Sequence, residues 1–278
     1  MFRFLWNVIK TTVSAILILA VIGGGIFAYA RLIEPYMLEN TEVEISSEGL
    51  VPYDDFKVVL FGDTHLGFDY DLEHFDEVVD MINGENPDII IFTGDLIDDL
   101  NIYEGDVSEV SEALSELSAP SGKYAVHGNH DYVRAGNDLY TEIMEAGGFD
   151  VLINETLYLP EYNINLFGVT DCLIGDGDVS FLNAAGPYTF NLVLCHEPDI
   201  FDWMDDYNVS LMLSGHSHGG QVRIPFYTDK YLPKYGMKYV NGLYEAGENT
   251  LYVTKGIGTT KLPLRFMAKP EIVTITLT

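Results

Sequence analysis

The chain has 278 residues, 47% of them hydrophobic, so it can bury a large core and is not expected to be disordered. Its 43 acidic and 14 basic residues give a formal net charge of −29, which argues against nucleic acid as a main partner, because the phosphate backbone would be repelled. Two cysteines are present, and a free buried thiol is favoured over a disulfide because Cys195 lies in an apolar run beside His196.

The first predicted element is a membrane helix. The twenty residues between Lys10 and Arg31 carry no charge and would form about 30 Å of helix, the thickness of a bilayer core. A signal peptide cleaved after Ala30 is the alternative, but signal-peptide apolar regions usually span only about 7–15 residues. The bases Arg3 and Lys10 precede the stretch, so the positive-inside rule predicts a single-pass protein of the cell membrane with its domain outside the cytoplasm.

The rest of the chain is predicted to form one α/β domain. Residues 1–32 are assigned to the anchor, 33–54 to a tether with a first short strand, and 55–278 to the domain. Beyond residue 55, apolar β-branched runs alternate with amphipathic patterns, one at Phe75 to Ile82 and another at Asp106 to Leu117. Strands that alternate with helices predict a sheet covered by helices.

Five apolar segments end in side chains that bind metals. The segments are FKVVLF, DIIIF, KYAV, FNLVLC and SLMLS. Ligands bind outside the carboxyl ends of strands in open α/β sheets, so these ends are expected to converge on one crevice. Glycines beside them, such as Gly94 and Gly215, leave room for a metal and a substrate. The candidate residues are Asp63, His65, Asp95, Asn129, His130, His196, His216 and His218.

The candidate ligands combine carboxylates, an amide and imidazoles. Without a thiolate cluster a structural zinc site is a poor fit, and imidazoles do not suit an all-oxygen Ca²⁺ or Mg²⁺ cage. The mixture suits Mn²⁺, Fe or Zn²⁺ in a paired site.

In order along the chain, this set resembles the signature of the calcineurin-like metallophosphoesterase family. The matching motifs are Asp63-x-His65, Gly94-Asp95, Gly128-Asn129-His130-Asp131, His196 and Gly215-His216-Ser217-His218. The resemblance implies a four-layer α/β/β/α sandwich with two divalent metal ions at its rim. It implies that one ion is held by Asp63, His65, Asp95 and His218, and that Asp95 bridges to a second ion completed by Asn129, His196 and His216.

The same resemblance implies roles in catalysis. His130 would act as a general acid or transition-state stabiliser, and Asp98 would orient it, although Asp99 and Asp131 are close in sequence. Two divalent ions about 3.5–4 Å apart lower the pKa of a bridging water, so that hydroxide can attack a phosphate ester.

The substrate is less tightly defined. The segment GDLIDDL lacks the arginine of the GDxxDRG motif of protein phosphatases, which disfavours that activity. The anchor and the C-terminal motifs resemble a membrane-anchored prokaryotic subgroup, similar to UDP-2,3-diacylglucosamine pyrophosphatase-type and cell-envelope phosphodiesterases. We therefore expect a phosphodiester or pyrophosphate bond in an envelope or lipid-linked substrate. A phosphomonoesterase or nucleotidase, or an inactive binding scaffold, remains the alternative.

A basic segment near the C-terminus is a candidate substrate surface. Eight of the 14 bases lie between Arg223 and Lys269, where they either hold an anion or are simply solvated. Within the segment, aromatic residues and lysines such as Lys230 and Tyr231 suit a sugar, a base, a lipid headgroup or the membrane interface, although a loop that only caps the domain has the same composition. Arg265 is a candidate clamp for phosphate oxygens.

Overall fold

The structure is a computed structural model that describes residues 2–47, 50–51, 55–132 and 136–278. It begins with helix α1 (Phe2–Leu32), of which Ala30 alone is buried. By length and composition α1 can cross a membrane, and a signal sequence would meet the same criteria.

The first six-stranded sheet has the order β1-β12-β2-β3-β4-β5. Strands β2 to β5 are parallel, β12 is antiparallel to β2, and β1 is parallel to β12. The sheet therefore includes part of the predicted tether, because β1 pairs with β12 from Glu39↔Glu271 to Ile45↔Leu277. The folded domain accordingly begins before residue 55, its predicted boundary. The strands are β1 (Glu39–Ile45), β2 (Phe56–Phe61), β3 (Ile89–Phe92), β4 (Lys123–Ala125), β5 (Asp150–Val151) and β12 (Glu271–Leu277).

The second six-stranded sheet has the order β10-β11-β9-β8-β7-β6. Its four central strands are parallel, and the edge strands β10 and β6 are antiparallel to their neighbours. The strands are β6 (Glu155–Leu159), β7 (Ile164–Val169), β8 (Phe190–Cys195), β9 (Leu211–Ser214), β10 (Gly242–Ala246) and β11 (Asn249–Val253).

Three helices cover the outer face of the first sheet. The predicted helices are confirmed as α2 (Leu72–Gly84) and α3 (Val107–Ser115), while α4 (Gly136–Ala146) was not predicted. The Asp71 carboxylate accepts from the His74 amide at the start of α2, an N-cap that satisfies a free backbone donor. Gly84 is the last helical residue, and Glu85 is the C-cap.

The core lies in layers, as the predicted α/β sandwich requires. Fully buried side chains such as Leu60, Ile91 and Leu194 fill the space between the two sheets. Other apolar residues join the first sheet to α2, α3 and α4. The outer face of the second sheet differs from the expected helical layer: among the described residues it is covered by loops and short 3₁₀ turns, including Pro198–Trp203. The connection from β8 to β9 spans residues 196–210, and its 3₁₀ turn begins at Pro198.

Lys123 joins the ends of two helices. Its ammonium donates to the carbonyl oxygens of Leu114 (2.9 Å) and Gly147 (2.6 Å), in the last turn of α3 and just after α4. It also lies 5.0 Å from the centre of the Phe149 ring. A cation here satisfies free carbonyls at the negative ends of both helices.

We expect Lys123→Met to lower the free energy of unfolding by about 2–4 kcal/mol, because two buried carbonyls lose a charged donor. Urea denaturation of the full chain in detergent measures this. Lys269→Met is the control, since Lys269 makes only a partly exposed ion pair with Glu39 and should contribute less than about 1 kcal/mol. Equal effects of the two substitutions would contradict the capping role.

Candidate active site

The five strands predicted to end in metal-binding residues are confirmed, and their carboxyl ends meet at one rim of the sandwich. Strands β2, β3 and β4 belong to the first sheet, whereas β8 and β9 belong to the second. Both sheets therefore contribute side chains to one site, and the ligands face one another across the two sheets.

The backbone turns sharply where it leaves these strands. Five of the candidate ligands have a positive φ in the left-handed region: Asp63 (50°), His65 (43°), Asp95 (60°), His216 (68°) and His218 (52°). For residues with a side chain this conformation costs of the order of 1 kcal/mol each. The surrounding structure offsets that cost, because main-chain hydrogen bonds join the turns to one another, for example from the Asp63 amide to the Gly94 oxygen at 2.9 Å.

Glycines allow the turns to pack closely. A Cβ on Gly94, whose φ is 96°, would clash with the backbone of Gly128. A Cβ on Gly128 or on Gly215 would in turn collide with the carboxylates of Asp95 or Asp63. These glycines therefore let the turns approach one another and the candidate ligand carboxylates closely.

The first group of ligands consists of Asp63, His65 and His218. The Nε2 atoms of the two imidazoles lie 3.1 Å apart, and His218 Nε2 lies 3.5 Å from Asp63 Oδ1. All three side chains are at least 96% buried. Their ligand atoms therefore face one small volume that water does not reach freely.

The second group consists of Asp95, His196 and His216. His196 Nε2 lies 3.2 Å from Asp95 Oδ2 and 3.1 Å from His216 Nδ1. The same Asp95 oxygen lies 3.5 Å from His65 Nε2, so this carboxylate stands between the two groups. Beside them the Asn129 Oδ1 is buried and accepts no hydrogen bond from the described residues, which leaves an amide oxygen available to a cation.

The far nitrogens of three imidazoles are held in hydrogen bonds. His196 Nδ1 lies 2.6 Å from the Thr93 oxygen, and His216 Nε2 lies 2.9 Å from the Lys234 oxygen. His65 Nδ1 lies 3.0 Å from Asp98 Oδ1. Partners of this kind fix the tautomer, so that the nitrogen facing the site presents its lone pair.

Burial and neighbouring charges shift the pKa values of the ligands in different directions. The neighbouring charges outweigh burial at two of them, where Asp95 raises the pKa of His196 and His196 lowers the pKa of Asp95. Burial together with the charge of His196 lowers the pKa of His216 to about 3, and burial and His65 lower the pKa of His218 well below its usual value. Burial and the charge of Asp95 raise the pKa of Asp63. Neutral imidazoles are the form that binds a metal, and a buried carboxylate is most stable beside a cation. The donor set therefore fits a pair of divalent cations.

His130 lies over the first group, but Asp98 orients it differently than expected. His130 Nδ1 donates to the Asp98 main-chain oxygen at 2.6 Å, whereas the Asp98 carboxylate is 3.6 Å away. That carboxylate binds His65 instead. Burial alone would lower the pKa of His130, but the charge of Asp95 and the hydrogen bond to Asp98 outweigh it and raise this pKa.

Sequence reasoning considered Asp131 only as an alternative to Asp98 for orienting His130. Its carboxylate is buried and accepts hydrogen bonds from the amides of Asp95 (2.7 Å), Gly128 (2.8 Å) and Leu96 (3.1 Å). Asp131 thereby joins the turn after β3 to the turn after β4. Its position in the motif after β4 was the only signal for this role in the sequence. The signal was not sufficient, because the amides that Asp131 binds are brought to it by the pairing of β3 with β4.

A cavity of about 500 Å³ opens above the ligands. Asn129 and His130 lie on its floor, and apolar or aromatic residues such as Leu173 and Leu264 form its walls. Tyr231, expected to contact substrate, lines the cavity. Lys230 is not among the lining residues; its ammonium lies 4.9 Å from the ring of Tyr227, which does line the cavity.

The expected role of Arg265 is wrong. Its side chain is fully buried and donates to the main-chain oxygens of Gly258, Ala268 and Lys255 at 2.5–3.0 Å. These bonds hold together the loops between β11 and β12, so the guanidinium does not face the cavity. A basic residue at the end of a motif does not reveal whether its charge faces solvent or backbone.

Comparison with known proteins agrees with this geometry. A family model described as "Calcineurin-like phosphoesterase" matches residues 56–220. The Bacillus subtilis (strain 168) protein named "Uncharacterized metallophosphoesterase YkuE" is 42% identical, over 93% of this chain and 92% of that protein. The Escherichia coli (strain K12) "Phosphodiesterase YaeI" is 29% identical, over 88% of this chain and 90% of its own. The crystal structure of a dimetal phosphatase from Danio rerio has a TM-score of 0.50 at 13% identity, over 81% of this chain and 100% of that one.

The fold and the site define a metal-dependent hydrolase of phosphate esters. The chain belongs to the calcineurin-like phosphoesterase family, whose members bind two divalent metals. The predicted family is confirmed.

We expect Arg265→Lys to lower the free energy of unfolding by about 2–4 kcal/mol, because one ammonium cannot replace a planar donor that reaches three carbonyls. The KM for a soluble phosphodiester should not change. Thermal unfolding and steady-state kinetics of the full chain measure both quantities.

The matched control is Arg223→Lys, since Arg223 is exposed and should contribute less than about 0.5 kcal/mol. A raised KM with unchanged stability in Arg265→Lys would restore the phosphate-clamp interpretation.

Proposed function

We propose that the chain is a two-metal phosphodiesterase or pyrophosphatase that acts on an envelope or lipid-linked substrate at the outer face of the cell membrane. The observation that carries the proposal is the position of one Asp95 oxygen between two groups of buried imidazoles. A carboxylate in that position is suited to bridging two cations.

The chain's own residues divide into two ligand sets around Asp95. We assign Asp63, His65 and His218 to one ion, and Asn129, His196 and His216 to the other, with Mn²⁺, Fe or Zn²⁺ as the metals. When bound, two such cations supply Lewis acidity towards phosphoryl oxygens and make a water acidic enough to attack near neutral pH. Asp98 keeps His65 in the tautomer that presents Nε2 to the site.

His130 is assigned the proton transfer. Its Nδ1 is occupied by the Asp98 carbonyl, so Nε2 is the atom that can meet the leaving oxygen of the substrate. The raised pKa increases the fraction of His130 that is protonated at neutral pH. General acid assistance by a positioned side chain is typically worth about 10²–10⁴-fold.

The cavity supports an ester with an apolar substituent. Most of its lining surface is hydrocarbon and aromatic, and the polar lining residues include the candidate ligands His65, Asp95 and His218. A phosphate on the floor would leave one substituent along these walls and another towards solvent, as in a diester. The E. coli relative that is named a phosphodiesterase adds support.

The charge distribution around α1 supports a domain outside the cytoplasm. Arg3 and Lys10 lie at its N-terminal end, whereas Arg31, the base at the other end, forms an ion pair with Asp69 at 2.8 Å. The positive-inside rule counts bases, and the one base at this end does not outweigh the two at the other. We therefore assign α1 to a retained single-pass anchor.

The ligand assignment is tested with Asp95→Asn and His130→Ala. We expect the first to lose bound metal and at least about 100-fold in turnover, because both ions share that carboxylate, and the second to lose about 100-fold in turnover but keep both metals. Elemental analysis and rate measurements on the same samples separate the two. Asp150→Asn, at an exposed strand end, is the control, and unchanged activity in Asp95→Asn would refute the site.

The substrate class is tested with two chromogenic esters. The full chain in detergent with added Mn²⁺ should hydrolyse bis-p-nitrophenyl phosphate with a higher kcat/KM than p-nitrophenyl phosphate. A preference for the monoester would favour the phosphomonoesterase or nucleotidase alternative. No activity on either ester with two metals bound would favour the inactive scaffold.

A further inference from the structure

A group of exposed apolar residues lies at and beside the cavity, which four of them, Ile224, Tyr227, Tyr231 and Leu262, line. We call it the rim patch and define it as Ile224, Phe226, Tyr227, Tyr231, Leu262 and Met267, all of which are exposed. Phe226 is 93% exposed and Met267 66%. Large apolar side chains gathered at one place on a soluble surface mark a site of interaction rather than chance exposure.

The backbone presents two of these side chains at a conformational cost. Phe226 has a φ of 66° and Met267 a φ of 57°, both in a region that residues with bulky side chains avoid. The turn around Phe226 is held by Thr228, whose hydroxyl accepts from the Ile224 amide (2.9 Å) and donates to the Val222 oxygen (3.1 Å). A strained, hydrogen-bonded turn that exposes a phenyl ring is typical of a surface with a function.

The rim patch is joined to the foot of the membrane helix. The Arg223 amide donates to the Phe266 oxygen at 2.8 Å, which joins the two segments that carry Phe226 and Met267. One residue before Phe266, the Arg265 amide donates to the Ala30 oxygen of α1 at 2.9 Å. The Ala268 amide donates to the Glu34 carboxylate, just beyond α1, at 2.7 Å. The patch therefore lies close to the point where the apolar part of α1 ends.

Basic residues surround the patch in a strongly acidic protein. Arg223, Lys230, Lys234 and Lys261 lie in its segments, and the ammonium of Lys234 lies 4.4 Å from the Tyr235 ring. Apolar and aromatic rings bordered by lysines match the interfacial region of a bilayer, where rings lie at headgroup depth and ammonium groups meet lipid phosphates. A protein partner would need no such relation to α1.

We propose that the rim patch is a second membrane-contact surface, which enters the interfacial layer of the leaflet from which α1 emerges and holds the cavity mouth against the bilayer. Phosphate groups at the membrane surface then lie at the entrance to the cavity. The contact is independent of the chemistry assigned to the site, so it stands or falls separately from the proposed activity.

The test places a fluorescent label at Phe226 in the full chain. Phe226→Cys is labelled with NBD in a background in which Cys172 is replaced by Ser, because Cys172 is only half-buried and could react with the label. Cys195 is buried and is left in place. The protein is reconstituted into nanodiscs of phosphatidylcholine and phosphatidylglycerol. Tyr188→Cys is the matched control, since Tyr188 is an aromatic residue that is 83% exposed and precedes β8 at the opposite end of the sheet.

We expect the label at position 226 to emit at shorter wavelength than the control, to be quenched by lipids brominated on their acyl chains, and to be several-fold less sensitive to iodide. The label at position 188 should behave in the opposite way. Circular dichroism and thermal unfolding of both labelled proteins, compared with the unlabelled chain, verify that they are folded. Equal iodide quenching at the two positions would overturn the proposal, and so would a label at 226 that is shielded from both quenchers, because that result indicates a protein contact.

Discussion

Everything at the rim of the sandwich depends on one electrostatic constraint: carboxylates and imidazole lone pairs are brought within about 3–3.5 Å of one another away from water. The Asp63 and Asp95 carboxylates accept hydrogen bonds from the amides of His216 and His130, but a cluster of buried carboxylates and facing lone pairs would still destabilise an ordinary core. Divalent cations remove the conflict. The fold is thus arranged around ions, and the unsatisfied Asn129 oxygen belongs to the same arrangement.

The backbone cost of this arrangement is confined to the strand ends. Left-handed conformations occur at Asp63, Asp95 and His216, while the strands behind them are regular and fully buried. A rigid sheet tolerates strained turns at the ends of its strands. The hydrogen bonds between the strands and those accepted by Asp131 hold the turns in place. Pre-formed ligands of this kind lose little entropy when a metal binds.

Much of the fold and the site could be predicted from the sequence, and the failures have physical reasons. Buried parallel strands are continuous apolar runs, so β2, β3 and β8 and the ligands that follow them were recognised. The structural role of Arg265 could not be predicted, because the carbonyl groups that it binds lie in loops whose path is set by tertiary packing. The same holds for Asp98, where a main-chain oxygen rather than the carboxylate meets His130. Strand β1 was predicted only as a short strand within a tether, because its pairing with β12 joins segments that are far apart in sequence.

The buried Ala30 at the foot of α1 has a consequence for the maturation of the protein. Its carbonyl oxygen is engaged by the Arg265 amide, and the next residue is tied to Asp69. The peptide bond that a leader-processing protease would cut is therefore locked into the finished domain. Scission at that bond would have to precede formation of the Arg265 and Asp69 contacts, so folding and processing would compete for the same short segment.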